Sequence, residues 1–384
     1  MTEIQKRIMF LSLEGTGLGH LSRCSKVALA LSKDHNCLIV TGLREAGWLL
    51  DQSLDFVKLP SLDWLVSHRA ARLGCRPYFD RGDEHVAQFR GHIASTVASA
   101  FDPDILILDH TITGREGEFY QLIAHTRAKI LLLLRPVLGN AASSVPALLS
   151  FGGTNLIGKI HSVLVTGDPR TSTIETELAG VFSRNKIFHI GYILDHPRLT
   201  HASIRSSKLR VICSAGSGLD SEDLYNAMSM AAASLSSEIE VEIVGGPHGQ
   251  PPSAKSANIS FTKEYHRLAA RFMDSDLVVC HGGYNTLAEA MSARRPVIVY
   301  LESHADVTVS DERRIHCEKL ASFYPITVVS NAAALELAIR TALKDATIGE
   351  FRSLLNVDGL LNIAEYFRNL EIHRPVNEER VGST

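Results

Sequence analysis

Long apolar runs are missing from this chain of 384 residues. No stretch approaches the ~20 consecutive apolar residues that a membrane-spanning helix needs, so membrane contact is not indicated. Positive charge is not in excess either: 39 Lys and Arg stand against 42 Asp and Glu, a formal net charge of −3. Without a basic stripe, nucleic acid is not an expected partner. Cysteine is sparse, and the six, at 24, 37, 75, 213, 280 and 317, form no CxxC pair. Four of them sit in or beside apolar stretches, which points to reduced, buried thiols in a cytoplasmic protein. The start, Met1 to Arg7, runs into a strand too short for the apolar core of a signal sequence, in keeping with that location. No cluster of His, Cys and carboxylates has zinc spacing, so no metal is expected. Two catalytic signatures are absent as well, the Gly-Lys-Ser/Thr phosphate loop and the G-x-S-x-G nucleophile elbow.

What is present is the composition of a globular protein, 45% hydrophobic and 21% charged, in a chain long enough for two domains. Its organising stretch is Leu277-Val-Val-Cys-His281-Gly-Gly-Tyr-Asn-Thr286-Leu-Ala-Glu289-Ala-Met291. Leu277 to Cys280 reads as one buried parallel strand. His281-Gly282-Gly283 breaks the run, and Asn285 or Thr286 can cap a helix carrying Leu287, Ala288, Ala290 and Met291. Paired glycines let a backbone approach a ligand, and a helix start offers N–H groups and the positive end of its dipole. That combination suits a phosphate. Glu289 lies one turn after Asn285 on the same face, where a carboxylate can accept from ribose hydroxyls.

The rest of the chain alternates strands and helices. Ile8–Leu13, Cys37–Thr41, Ile105–Asp109, Ile130–Leu134, Val163 onward and Lys186–Tyr192 read as strands of a first half. Helices are expected over Leu21–Leu31, His92–Ala100 and Glu118–Arg127, and Ser61–Gly91 as a long irregular excursion, with Trp64, His68, Tyr78 and Phe79 as an acceptor wall. Asp195 to Lys208 is polar and aperiodic, and a second α/β set restarts at Leu209. The division is therefore an acceptor domain over 1–195, a linker over 196–208, a donor domain over 209–360 and a closing segment over 361–384. Two doubly wound Rossmann-like domains would face each other and place their sites at the C-terminal strand ends, in the cleft between them.

Candidate chemical groups follow from that rule. Gly15-Thr-Gly17-Leu-Gly19-His20 ends the first strand, and an imidazole there suits removal of a proton from an acceptor hydroxyl. The alternative is a histidine that only caps its helix. Asp109 ends a neighbouring strand and either orients His20, as the third member of a triad does, or is a satisfied strand-end carboxylate. Ser214-Ala-Gly216-Ser217-Gly218 can deliver backbone N–H groups to a second phosphate. Asp102-Pro-Asp104 and Asp274-Ser-Asp276 resemble metal-binding triplets but precede their strands, at the end away from the cleft, and are read as structural.

The pair Gly15-Thr-Gly-Leu-Gly-His20 and His281-Gly-Gly-Tyr-Asn-Thr-Leu-Ala-Glu289 resembles the GT-B nucleotide-sugar glycosyltransferases. More narrowly the chain is similar to MurG-like bacterial glycosyltransferases, related to the N-acetylglucosaminyltransferase that makes lipid II. It shares with them Gly17-Leu-Gly-His-Leu-Ser-Arg23, Phe101-Asp-Pro-Asp-Ile-Leu-Ile-Leu-Asp109, Gly117-Glu118, Val165-Thr-Gly-Asp-Pro-Arg170 and Gly191-Tyr192. The resemblance implies that Ser214, Gly216 and Ser217 hold the donor diphosphate with His281, Gly282 and Gly283, supported by Asn285 and Thr286. It also implies that Glu289 takes the ribose, that the backbone near Tyr265 meets the base, and that Gly17 and Gly19 approach the donor. His20 would be the base, and helix N-termini rather than a metal would stabilise the developing charge. Where such relatives carry an Asp-Glu-Gln-like sugar-binding segment, this chain has Asp311-Glu312-Arg313, so the arginine either reaches an anionic sugar or faces solvent.

The function implied is transfer of a sugar from a UDP- or dTDP-sugar, as co-substrate and with no cofactor, to a hydroxyl or amine of a small-molecule or glycan acceptor. A nucleotide-sugar hydrolase of the same fold is the nearest alternative, since Gly19-His20-Leu-Ser-Arg23 is compatible with both. A non-catalytic nucleotide-sugar-binding activator subunit is a third reading, against which the presence of both His20 and Glu289 counts. An epimerase would need several catalytic carboxylates that the sequence does not offer.

Overall fold

The computed structural model describes residues 5–15, 17–62, 83–194, 207–219, 221–254, 256–263, 268–301, 307–344 and 354–371. Seven strands, β1 (Arg7–Ser12), β2 (Asn36–Thr41), β3 (Asp55–Lys58), β4 (Ile105–Asp109), β5 (Lys129–Leu134), β6 (Ile160–Val165) and β7 (Ile187–His189), form a parallel sheet ordered β3-β2-β1-β4-β5-β6-β7. Six more, β8 (Leu209–Ser214), β9 (Ile239–Val244), β10 (Ile259–Thr262), β11 (Leu277–Cys280), β12 (Val297–Tyr300) and β13 (Ile326–Val329), form a second parallel sheet ordered β10-β9-β8-β11-β12-β13. The central strands are near-continuous apolar runs because helices cover both sheet faces. The helices that matter below are α1 (Gly19–Leu31), α2 (Asp83–Phe101), α3 (Glu222–Ser234), α4 (Tyr284–Ser292), α5 (Val307–Leu320), α6 (Ala332–Lys344) and α7 (Gly359–Asn369).

In each sheet the strand order runs outward in both directions from a central pair, β1/β4 in the first and β8/β11 in the second. The connections from such a pair leave to opposite faces, so a crevice opens at its C-terminal edge. Leu11 pairs with Leu108 just below the first crevice, and Ser214 with Cys280 at the second. All four motifs singled out from the sequence therefore emerge at two switch points. The Asp-x-Asp triplets lie at the opposite edge, as expected. Asp104 accepts from the Arg7 N–H at 2.8 Å and Asp276 from the Arg210 N–H at 2.9 Å, the same staple in both halves.

On one face of the first sheet α1 packs with α7: Ile363, Phe367 and Leu370 join Ile8, Phe10, Leu21 and Val27 in one core. The chain's last described helix thus completes the core of its first half. In the second half α4 and α5 cover one face, and α3 and α6 the other.

Several sequence expectations need correction. α2 begins at Asp83, so part of the stretch read as irregular is helical. Its buried face includes Val86, Arg90, Ala94 and Ala98, and an arginine at a core position breaks the apolar period by which a helix is recognised. Edge strands β3, β10 and β13 were not expected; they are half-exposed and short, with a weak alternating pattern. A helix over Ala141–Leu148, with Pro146 inside it, was also unforeseen. The acceptor-wall residues Trp64, His68, Tyr78 and Phe79, and most of the linker, lie outside the described residues. Among those described, no helix is long and apolar enough to cross a membrane.

Candidate active site

At the first switch point Asp109 is almost wholly buried at the end of β4 and serves three donors. His20 Nδ1 lies 2.8 Å from Oδ2, the Leu13 N–H donates to the same oxygen at 3.3 Å, and Arg23 Nη2 donates to Oδ1. Burial by itself would raise this carboxyl, but Arg23 and His20 outweigh it and hold it well below the usual carboxylate range. Asp109 is therefore ionised at neutral pH. Burial pushes His20 down from its ordinary value, and Asp109 only partly offsets that. A neutral ring that donates its Nδ1–H to Asp109 in a hydrogen bond keeps the Nε2 lone pair available. That is the state a general base needs. The position in the first turn of α1, at the positive end of its dipole, also disfavours the imidazolium. Gly15 makes the room: a Cβ there would stand 2.9 Å from His20 Cδ2.

At the second switch point two glycine-rich turns lie side by side. Gly216 has φ +69°, and a Cβ on it would sit 3.7 Å from Thr286 Oγ1. Gly282 has φ +72°, and a Cβ there would come within 2.7 Å of Val299 and 3.0 Å of Cys317 Sγ. Only glycine fits that turn. The expected cap is corrected: α4 starts at Tyr284 with Gly283 as its N-cap and no side chain capping it. Its first N–H groups thus lack intrahelical acceptors and point out of the turn. Burial, with Arg313 second, pushes His281 down to about 3, so the ring beside them is neutral at physiological pH.

Close contacts bring the two switch points together. A Cβ at Gly17 would lie 3.6 Å from Ser217 Oγ, and Asn285 Nδ2 donates to the Gly19 carbonyl at 2.9 Å. Lys26 of α1 meets Glu289 of α4 at 3.2 Å, and His248 meets Glu45 at 3.2 Å. The Asn285 amide thus holds the facing turn. Glu289 is buried and engaged by Lys26, so its carboxylate is directed at α1. Glu312 accepts from Arg135, at the end of β5, at 2.6 Å across the cleft. Arg313 is half-buried rather than turned to open solvent, and its charge reaches His281 and Cys280. Tyr265 lies outside the described residues.

Three participants were not foreseen: Lys26, Arg135 and Arg90. Arg90 is buried between Glu14, at 2.7 Å, and Glu118, at 2.9 Å, and ties the ends of three loops beside the first switch point. Glu14 also accepts from the Leu62 N–H at 3.0 Å. Only the strand-end rule could have drawn attention to Arg135, which follows Leu134 directly. No signal in the sequence marks Lys26.

No family model matches the sequence, and no curated protein matches it. Solved structures do. The glycotransferase of kitacinnamycin superposes with a TM-score of 0.62 at 13% identity, over 95% of each chain. The glycosyltransferase SnogD from Streptomyces nogalater gives 0.59 at 16% identity, over 95% of each chain. VinC, a glycosyltransferase in complex with DTDP, gives 0.57 at 13% identity, over 95% of this chain and 96% of that one. Identities this low establish fold alone. The chain has the GT-B fold, two doubly wound α/β units facing a central cleft.

Proposed function

We propose that this protein is a glycosyltransferase that moves a sugar from a UDP- or dTDP-sugar to a hydroxyl or amine of a small-molecule or glycan acceptor. The observation that carries the reading is the opposition of two switch points: a neutral His20 held by Asp109 on one side, and the turns at 214–218 and 281–286 on the other. The turns bind the donor diphosphate through backbone N–H groups and His281, with Arg313 close behind. His20 Nε2 removes the acceptor proton as the acceptor attacks the anomeric carbon. Negative charge on the departing diphosphate is met by the α4 N-terminus and the nearby cations, without a metal or other cofactor. Glu289 contributes to the ribose edge, and the segment containing Tyr265 to the base. The glycosyltransferase neighbours, one of them holding DTDP, support this reading, and the shared sequence fragments favour a MurG-like branch. The domain division at 195–209 assigns acceptor to the first half and donor to the second.

Isothermal titration of UDP and dTDP in a chelating buffer tests it. One of the two should bind, and His281→Ala should weaken that binding by about 1.5–3 kcal/mol, the worth of a hydrogen bond to a charged group. Absence of binding by both nucleotides would overturn the assignment. Counting products then separates transfer from hydrolysis: free sugar released at one rate with or without acceptor would mean a hydrolase.

A further inference from the structure

His110 directly follows Asp109 and has no role in the reading above. Its backbone is held at φ +69°, the left-handed region that a histidine adopts only at a cost. The conformation is imposed from both sides, because its N–H donates to the Leu133 carbonyl at 3.0 Å and that of Thr111 to the Asp109 carbonyl at 2.9 Å. The ring stands 5.2 Å from that of His20, centroid to centroid, tilted by 55°. Its Nδ1 is buried and has no hydrogen-bond partner among the described residues. On the adjacent strand end, Arg135 Nε is buried in the same condition, while its Nη1 is on Glu312. Burial first, and Arg135 second, keep His110 uncharged.

A strained backbone and two unsatisfied polar atoms each cost stability, and such groups in a native structure call for an explanation in function. The His110 ring is only half-buried, so part of its edge is open to a ligand beside His20. A neutral imidazole has one donor and one acceptor nitrogen, which matches a hydroxyl better than a cation or an apolar group. We propose that His110 is a second substrate-contacting imidazole, which binds a hydroxyl of the acceptor next to the one that His20 deprotonates. The acceptor is then a sugar or polyol with neighbouring hydroxyls, one on each ring. This rests on the transferase reading for the role of His20.

The test uses His110→Asn and His110→Gly, both of which tolerate the left-handed backbone. Melting temperature without ligand is measured first. Loss of a strained, unsatisfied imidazole should leave it unchanged or raise it by about 2 °C or more. Affinity for methyl β-D-glucopyranoside, a neighbouring-hydroxyl probe, is then titrated by saturation-transfer NMR. It should fall about fivefold in both variants, as for one lost hydrogen bond. A melting point several degrees lower in both variants would show that His110 is structural and overturn the proposal. Equal glucoside affinity in wild type and variants, or none in wild type, would overturn it too. Nucleotide affinity is measured alongside: its loss in the wild type would fault the transferase reading, whereas the glucoside and melting comparisons judge His110 without it.

Discussion

Asp109 carries two duties that a substitution separates. It orients His20, and it neutralises Arg23, whose side chain is about as buried as its own. His20→Ala should lower turnover roughly 10²–10⁴-fold, the usual worth of a general base, and leave nucleotide affinity unchanged. Near-normal turnover in that variant would reduce His20 to a helix-start residue. Asp109→Asn removes the charge that raises His20, so the imidazole pKa drops further. The acid limb of kcat/KM, already below the ordinary histidine value, then moves to lower pH while turnover falls. The same change strands the Arg23 guanidinium in the interior, at a cost of about 3–5 kcal/mol. Arg23→Met added to Asp109→Asn should restore much of the melting temperature and none of the activity. Recovery of both would show that Asp109 acts only as the arginine's partner.

At the scale of elements, the two turns have separable tasks, and a single methyl group can address each. Gly15→Ala puts a Cβ 2.9 Å from His20 Cδ2 without a positive φ, so it should displace the proposed base, lower turnover and spare nucleotide binding. Gly282→Ala places a side chain at φ +72° against Val299 and Cys317, where both strain and overlap act. It should destabilise the protein by about 1–3 kcal/mol and weaken nucleotide binding, because the α4 N-terminus shifts with the turn. Calorimetry and turnover on the two variants check the division; matching profiles would mean that the turns do not act separately. Motif fragments outside the two glycine-rich turns have architectural work at this scale. Asp168 accepts from the Asn356 N–H at 2.8 Å and Arg170 donates to the Leu354 carbonyl at 2.7 Å, pinning the segment that leads back to the first half.

Across the whole molecule, α7 and an aromatic stack bind the halves together. Tyr192, Tyr284 and His316 stack with centroids 5.9–6.1 Å apart, and Tyr192 Oη meets Thr171 at 2.7 Å and His316 Nε2 at 3.0 Å. Ending the chain before Gly359 would expose the core that Ile363 and Phe367 fill, each worth about 1.5–3 kcal/mol. Unchanged melting in that truncation would mean that the crossing helix is dispensable. Burial pushes both His281 and His316 down to about 3. Both are neutral when folded, whereas in the unfolded chain each takes a proton near pH 6.5. The stability they confer is therefore complete above pH 6.5 and is lost progressively as pH falls toward 3. His316→Phe keeps the stack and should remove one proton's share of that slope, about 1.4 kcal/mol per pH unit. An identical pH profile of denaturant stability in the variant would refute the linkage.

Local sequence pattern was enough to specify the central strands of both parallel sheets and the two switch-point turns. Apolar runs of strand length, each followed by glycines and a helix, encode locally which residues are buried and where the backbone must turn. Because strand ends in such a sheet share one edge, His20, Asp109, Ser214 and His281 could be placed at the cleft without coordinates. Tertiary structure alone decided what those residues meet. Glu289 faces Lys26, Glu312 faces Arg135, and Asn285 holds Gly19 rather than capping its own helix. It alone put Arg90 inside α2 between two carboxylates and left His110 strained beside His20, its Nδ1 without a hydrogen-bond partner among the described residues. Those partners lie on strands and helices of other segments, brought together only when both switch points form and the halves close on each other. Pairings between charges distant in sequence leave no periodic trace in the chain.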